Sequence, residues 1–172
     1  MKIVRIIGII GFKFPDFQDQ SDSLYQRRQV QSIGTQSMPF TRISLNKGKS
    51  PEYLRAISDH LQKALVEAFN VPPGDCFQAI HQHEPGELVF DRDYLGGPRT
   101  NDFVLFAITA GRPRTTEVKR AFYKRLTELL AEAPGIRPED VMTIINTTTP
   151  EDWSFSGGDP WIYKGGPAAS QD

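Results

Sequence analysis

Arg112 and Arg114 stand two residues apart around Pro113 in the stretch "AGRPRT", at the end of an apolar segment. A guanidinium is a planar fork of donors matched to a carboxylate, so two of them on one short connection form a candidate carboxylate clamp. Read from this stretch alone, they fit better as solvated loop residues. A second candidate is Pro39, which follows Met38 and opens the alternating segment "PFTRISLN". Proline is tolerated as the first residue of a strand, because its missing N–H breaks no ladder there. As a chain terminus it would also be a secondary amine on a rigid ring, able to act as base, acid or nucleophile. Within a longer chain its nitrogen is an amide and can do none of this.

Other polar residues have plainer readings. Asp75 lies in the turn "VPPGD", and turn capping accounts for it as it does for Asp140 in the turn "PGIRPED". His81 and His83 lie two apart on a strand and share a face, but no third ligand stands at metal spacing, so they read as surface histidines and no metal site is expected. Cys76 opens a strand and reads as a packed thiol. Asp91 and Asp93 fall in a turn-rich segment and are expected to face water.

These candidates need elements to hold them. "PFTRISLN" alternates as a strand, and the helix that follows has Ser50 as N-cap, Pro51 at its first position and Glu52 in its first turn. Leu54, Ile57, Leu61, Ala64, Leu65 and Ala68 recur at three- and four-residue spacing and give that helix one apolar face. Asn70 stops it, and "CFQAIHQH" reads as a strand. The plan then repeats as "DFVLFAIT", "TTEVKRAFYKRLTELLAEA" and "VMTIINTT". Residues 50–76 align with residues 115–141 at a constant offset of 65, and nine of the 27 pairs are identical, among them Glu52/Glu117, Leu61/Leu126 and Asp75/Asp140. The sequence therefore predicts an α/β fold of tandem duplicated β-α-β units. Right-handed crossovers put both helices on one face of a four-stranded sheet, with the strand from Pro39 and the strand leading to Arg112 as possible neighbours. The other face is left bare, which predicts oligomerisation. Between the units, "ELVF" at 87–90 is expected to pair at a sheet edge.

The chain has 172 residues, 38% of them hydrophobic and 24% charged, a composition that fits one soluble domain. A formal net charge of −1 without a basic run argues against nucleic acid as a partner. A single cysteine rules out an intramolecular disulfide and fits a cytoplasmic setting. No stretch approaches the roughly 20 apolar residues of a membrane span. Residues 1–37 begin with a short apolar run broken by glycines and continue as a Gln- and Ser-rich stretch without periodicity. They are expected to lie outside the fold, as a disordered extension or as upstream sequence from a mis-assigned start. The domain is expected over 39–165, with 166–172 as a tail.

With the duplication in place, "MPFTRISLNKGKS", "FNVPPGDCFQAIHQHEPGELV", "GRPRTTEVKRAFYKRL" and "DWSFSGG" together resemble the tautomerase superfamily, and within it most of all the malonate semialdehyde decarboxylases. The resemblance runs from Pro39 to about Gly158. It implies a cofactor-independent enzyme, a homotrimer and a small carboxylate substrate. By it, Pro39 matches the catalytic proline, Arg112 and Arg114 the substrate-binding arginines, Asp75 the aspartate acting beside the proline, and Trp153 and Phe155 a hydrophobic wall. The 37 residues before Met38 depart from the family pattern, so a start at Met38, or processing that exposes Pro39, is expected.

The implied chemistry is decarboxylation or hydration of a small 3-oxo acid such as malonate semialdehyde, with a prolyl ammonium at the carbonyl oxygen stabilising the forming enolate. Arg112 and Arg114 lower the pKa of that amine and an ionised Asp75 raises it. The expected balance is the cation near neutral pH. A neutral amine would instead make Pro39 a general base for 2-keto acid keto–enol tautomerisation, and a Schiff base at Pro39 is a further route. A reading of another class is a non-catalytic trimeric scaffold with Pro39 blocked.

Overall fold

The computed structural model describes residues 38–160. The expectations for residues 1–37, for the end of the domain beyond residue 160 and for the tail fall outside the described residues. Strand β1 (Pro39–Asn46) leads to helix α1 (Pro51–Ala68) and strand β2 (Phe77–His83), and then β3 (Val104–Ala110), α2 (Thr116–Glu132) and β4 (Val141–Thr147) repeat the plan. The sheet order is β2-β1-β3-β4. β1 runs parallel to β2, β3 runs parallel to β4, and β1 and β3 meet antiparallel at the centre. The duplicated β-α-β fold is therefore as the sequence predicts, and the strand that begins at Pro39 does neighbour the one leading to Arg112.

The two copies agree down to their hydrogen bonds. Ser50 caps α1 by accepting from the Tyr53 N–H, and Thr115 caps α2 by accepting from the Val118 N–H. At the other ends the chain turns through the left-handed region at Asn70 (φ 57°) and Gly135 (φ 93°). The next residue in each copy returns its N–H to the helix, Val71 to Leu65 O at 3.2 Å and Ile136 to Leu130 O at 2.9 Å. Asparagine tolerates that conformation better than most residues, and glycine meets no steric cost there.

Ile57, Leu61, Ala64 and Leu65 of α1 and Phe122, Leu126, Leu129 and Leu130 of α2 are buried against Ile43, Leu45, Phe106 and Ile108 of the central strands. Period-two burial in β1 and β3 supplies one apolar face to both helices. The opposite face is uncovered, leaving Met142 40% and Ile144 41% exposed. Residues 87–90 differ from expectation. "ELVF" forms no strand and pairs with no edge; instead Phe90 packs on Phe103 at 4.3 Å between ring centroids. An aromatic residue next to a buried partner outweighs the strand propensity of a four-residue segment.

Candidate active site

The topology collects the candidates at one end of the sheet. β1 and β2 both start there, β3 and β4 both finish there, and Pro39 pairs with Ala110, the last residue of β3. One residue before the Phe40–Phe77 pair, Cys76 stands level with Pro39 on the β2 side, and Asp75 precedes it. Pro39 is buried. It therefore lies between the segment carrying Asp75 and the segment that continues from Ala110 into Gly111 and Arg112.

The Asp75 side chain is withdrawn from water, with 8% of the residue's surface exposed, and its Oδ2 is buried without a hydrogen-bond partner. Burial pushes its carboxyl pKa up. Its backbone is held on both sides, the N–H donating to Pro72 O at 3.0 Å and the carbonyl accepting from Gln62 Nε2 at 3.0 Å. An orphaned buried carboxylate oxygen is costly, and its natural partner is a cation or a proton donor. Cys76 is exposed, which corrects the expectation of a packed thiol. The thiol lies just before β2, an edge strand in which no residue is fully buried.

The arginines draw on the end of α1. The helix C-terminus presents orphan carbonyls and the negative end of its dipole, a setting that favours cations. Arg114 donates from Nε to Phe69 O at 3.0 Å and from Nη1 to Arg112 O at 2.9 Å, with its guanidinium 4.8 Å above the Phe69 ring centroid. Burial, reinforced by the nearby Arg112 charge, brings the Arg114 pKa down to about 10. Arg112 reaches Asn70 O from Nη2 at 3.4 Å, and its Nε is buried with no partner. Two like charges held this close make the spot more favourable for an anion.

Trp153 closes this end. Its indole lies 3.6 Å from where a Cβ would stand on Gly111, and the Met38 carbonyl oxygen is 3.9 Å from the same point. The indole Nε1 donates to Thr148 Oγ1 at 2.7 Å, and the Thr148 N–H donates to Ala110 O at 2.9 Å. The ring is thereby tied to the residue that pairs with Pro39. Phe155 stacks on it at 5.7 Å and 19°. Pro39, Asp75, Arg112, Arg114, Trp153 and Phe155 therefore share one end of the molecule. Sequence reasoning missed Thr148 and Phe77, whose ring lies 6.4 Å from that of Phe155. Thr148 sits in a Thr-Thr-Thr run with no signal of its own. Phe77 is marked only by its nearness to Asp75.

His81 and His83 belong to no group of three or more His, Cys, Asp or Glu side chains placed to hold a metal, among the described residues. Asp91 and Asp93 are exposed, and Asp91 Oδ1 accepts from the backbone N–H groups of Asp93 and Tyr94. No helix among the described residues is long and apolar enough to cross a membrane.

Two family models, both described as tautomerase enzyme, match residues 39–96 and residues 75–156. The probable tautomerase YusQ of Bacillus subtilis (strain 168) is 36% identical over 121 residues, covering 70% of this chain and 95% of that protein. The probable tautomerase YrdN of the same organism is 32% identical, covering 74% of this chain and 98% of that protein. Among solved structures, a malonate semialdehyde decarboxylase is similar with a TM-score of 0.65 and 36% identity, over 69% of this chain and 92% of the other. Another malonate semialdehyde decarboxylase, inhibited by 3-bromopropiolate, is similar with a TM-score of 0.64 and 34% identity, over 70% and 91%.

Proposed function

Since the chain belongs to the tautomerase family, we propose that, with Pro39 as its free terminus, it is a cofactor-independent decarboxylase of a small 3-oxo acid. The observation that carries this reading is the meeting of three groups at one sheet end: Pro39, an Asp75 Oδ2 with no partner, and an Arg112 Nε with no partner. The similarity to malonate semialdehyde decarboxylases supports the choice of substrate.

In this reading Arg112 and Arg114 hold the carboxylate and set its C–C bond parallel to the carbonyl π system. The Pro39 ammonium, stabilised by Asp75, donates a hydrogen bond to the carbonyl oxygen. As carbon dioxide leaves, the C–C electron pair passes into the carbonyl and forms an enolate, whose charge the ammonium stabilises. Protonation of the enolate carbon completes the reaction, and malonate semialdehyde gives acetaldehyde. Addition of water to an activated carbon uses the same groups, with Asp75 positioning the water. The face carrying Met142 and Ile144 would be covered by further copies, in a homotrimer.

The second reading is 2-keto acid tautomerisation with Pro39 as general base, and the two Bacillus relatives named as probable tautomerases favour it. Comparing a chain that begins at Pro39 with one that retains Met38 tests the proline. Acetaldehyde production from malonate semialdehyde should be greater in the former by on the order of 10³-fold, within the range of a positioned acid or base. Equal rates would remove the proline from the mechanism. Ketonisation of phenylenolpyruvate without carbon dioxide release from the 3-oxo acid would favour the second reading.

A further inference from the structure

The duplication sets Gln62 of α1 against Thr127 of α2, 65 residues on, just as it sets Asp75 against Asp140. The two turns that carry these aspartates are tied down in different ways. Thr127 turns its hydroxyl onto its own helix, donating to the Tyr123 and Lys124 carbonyls at 3.1 and 2.8 Å. The turn that follows α2 is held through its aspartate's carboxylate, which accepts from the Thr100 N–H and hydroxyl. Gln62 instead reaches out of its helix, and its Nε2 donates to Asp75 O at 3.0 Å and to Pro73 O at 3.5 Å. Gln78, three residues past Asp75, donates from Nε2 to Ser58 O at 3.2 Å, one helical turn before Gln62. In the first copy the turn is therefore fastened to the helix through its backbone, and Asp75 Oδ2 is left without a hydrogen-bond partner. Folding alone gives little reason for a glutamine at residue 62. Its Oε1 is buried without a partner, a cost that an apolar side chain of the same length avoids. What the amide supplies, and such a side chain does not, is a donor for the Asp75 carbonyl.

We propose that Gln62 is a positioning residue that acts through Asp75, holding the turn by its main chain so that the carboxyl group stands at the Pro39 end with its Oδ2 unengaged. The inference deepens the proposed function and rests on its assignment of Asp75 to the proline. A tie on the carbonyl fixes where the carboxyl group stands and leaves Oδ2 for the prolyl nitrogen. Without it the turn gains freedom and water reaches the carboxyl group. Misplacing a reacting group by about 1 Å costs up to about 10²-fold in rate.

Carbon-13 NMR of the aspartate carboxyl groups in the full 172-residue chain tests this without requiring turnover, the Asp75 signal being the one lost in Asp75→Asn. In Gln62→Met the Asp75 carboxyl should ionise at lower pH, with an acid dissociation constant about 10-fold larger, as water enters the loosened turn. The Asp140 signal should stay where it is. Gln62→Thr should act in the same direction, with a side chain that α2 already carries at the matching place. A merely structural amide would lower stability and leave the Asp75 titration unchanged, and that result would overturn the inference. On the chain beginning at Pro39, Gln62→Met should lower kcat on the 3-oxo acid about 10-fold and leave KM within about twofold, since Arg112 and Arg114 still hold the carboxylate. An unchanged kcat beside a shifted titration would overturn the residue's part in the reaction. A parent chain begun at Pro39 that turns over no oxo acid would overturn the proposed reaction, while the Asp75 titration in the full chain would still decide the tie.

Discussion

At the far end of the sheet Lys47 and Lys49 occupy the positions that, 65 residues later, Arg112 and Arg114 occupy at the site end. The same offset relates Asp140 to Asp75 and Val104 to Pro39. Each end of the sheet thus receives two basic residues from one copy and an aspartate with a strand start from the other. The ends differ in how these groups are satisfied. At the far end Lys47 pairs with Glu84, Lys49 pairs with Asp102, and Asp140 accepts from the Thr100 N–H at 2.5 Å and the Thr100 hydroxyl at 2.8 Å. At the site end Asp75 Oδ2 and Arg112 Nε are buried without partners. One copy of each device is tied into the framework, and the other leaves a carboxylate oxygen and a guanidinium nitrogen without hydrogen-bond partners. Unsatisfied buried groups cost stability; His83 Nε2 at the far end is one too, but of the aspartates and basic residues that the duplication places at the two ends, only those at the site end are left so.

That contrast can be broken most severely at Arg112. Arg112→Ala should reduce kcat/KM on the 3-oxo acid by on the order of 10²-fold, the scale for removing one charge-stabilising donor. Steady-state kinetics on the chain beginning at Pro39 checks this, and an unchanged kcat/KM would show that the arginine is a loop residue. Asp140→Ala comes next. It leaves the Thr100 N–H and hydroxyl without their acceptor and should cost about 3 kcal/mol in denaturant unfolding, given that hydrogen bonds to charged groups contribute about 1.5–3 kcal/mol.

Neutralising Asp75 should have the opposite sign. Because burial raises its pKa, the folded state disfavours the ionised form. The protonated acid is fully favourable below the ordinary carboxyl pKa, and stability is lost as pH rises through the raised value. In the chain with acylated Pro39, Asp75→Asn should therefore match the parent near pH 3. As pH rises it should become more stable, by up to about 1 kcal/mol at neutral pH. The difference in Tm measured across pH 3–8 reads this directly. A parent that gains on Asp75→Asn with rising pH would mean that Asp75 has a partner when charged. Lys47→Ala should be the mildest change, within about 0.5 kcal/mol and without effect on kcat/KM, as for exposed ion pairs generally. A large loss of activity there would show that the far end is not closed.

The architecture was readable because it rests on local signals. The Ser50 and Thr115 caps, the Asn70 and Gly135 stops and the apolar spacing of both helices are each set within a few residues, and the duplication states every signal twice. Arg112, Arg114 and Pro39 were visible as chemistry-bearing residues, and Asp75, Trp153 and Phe155 through the family pattern. What local sequence did not carry was who satisfies whom. Asp75 and Asp140 stand at the same place in nearly the same turn, and nothing near either distinguishes a capped carboxylate from an orphaned one. Thr100, which satisfies Asp140, lies 40 residues away from it. Phe69 and Thr148, which hold Arg114 and Trp153, gave no sign of that work, and "ELVF" was drawn off its strand by Phe103.

By itself, then, the sequence determined two β-α-β units with matching caps, an apolar face for each helix, and the presence of a proline, an arginine pair and an aromatic wall. These depend on spacing and on residue type, which the chain carries locally. Only the tertiary structure decided that the first copy's aspartate and proline meet the second copy's arginines. That follows from the antiparallel join of β1 to β3, which sets the start of one copy against the finish of the other's first strand. Only there, too, was it decided which of the two ends would be closed by Glu84, Asp102 and Thr100. Desolvation and hydrogen bonding are set by what packs around a group, and those neighbours come from distant parts of the chain.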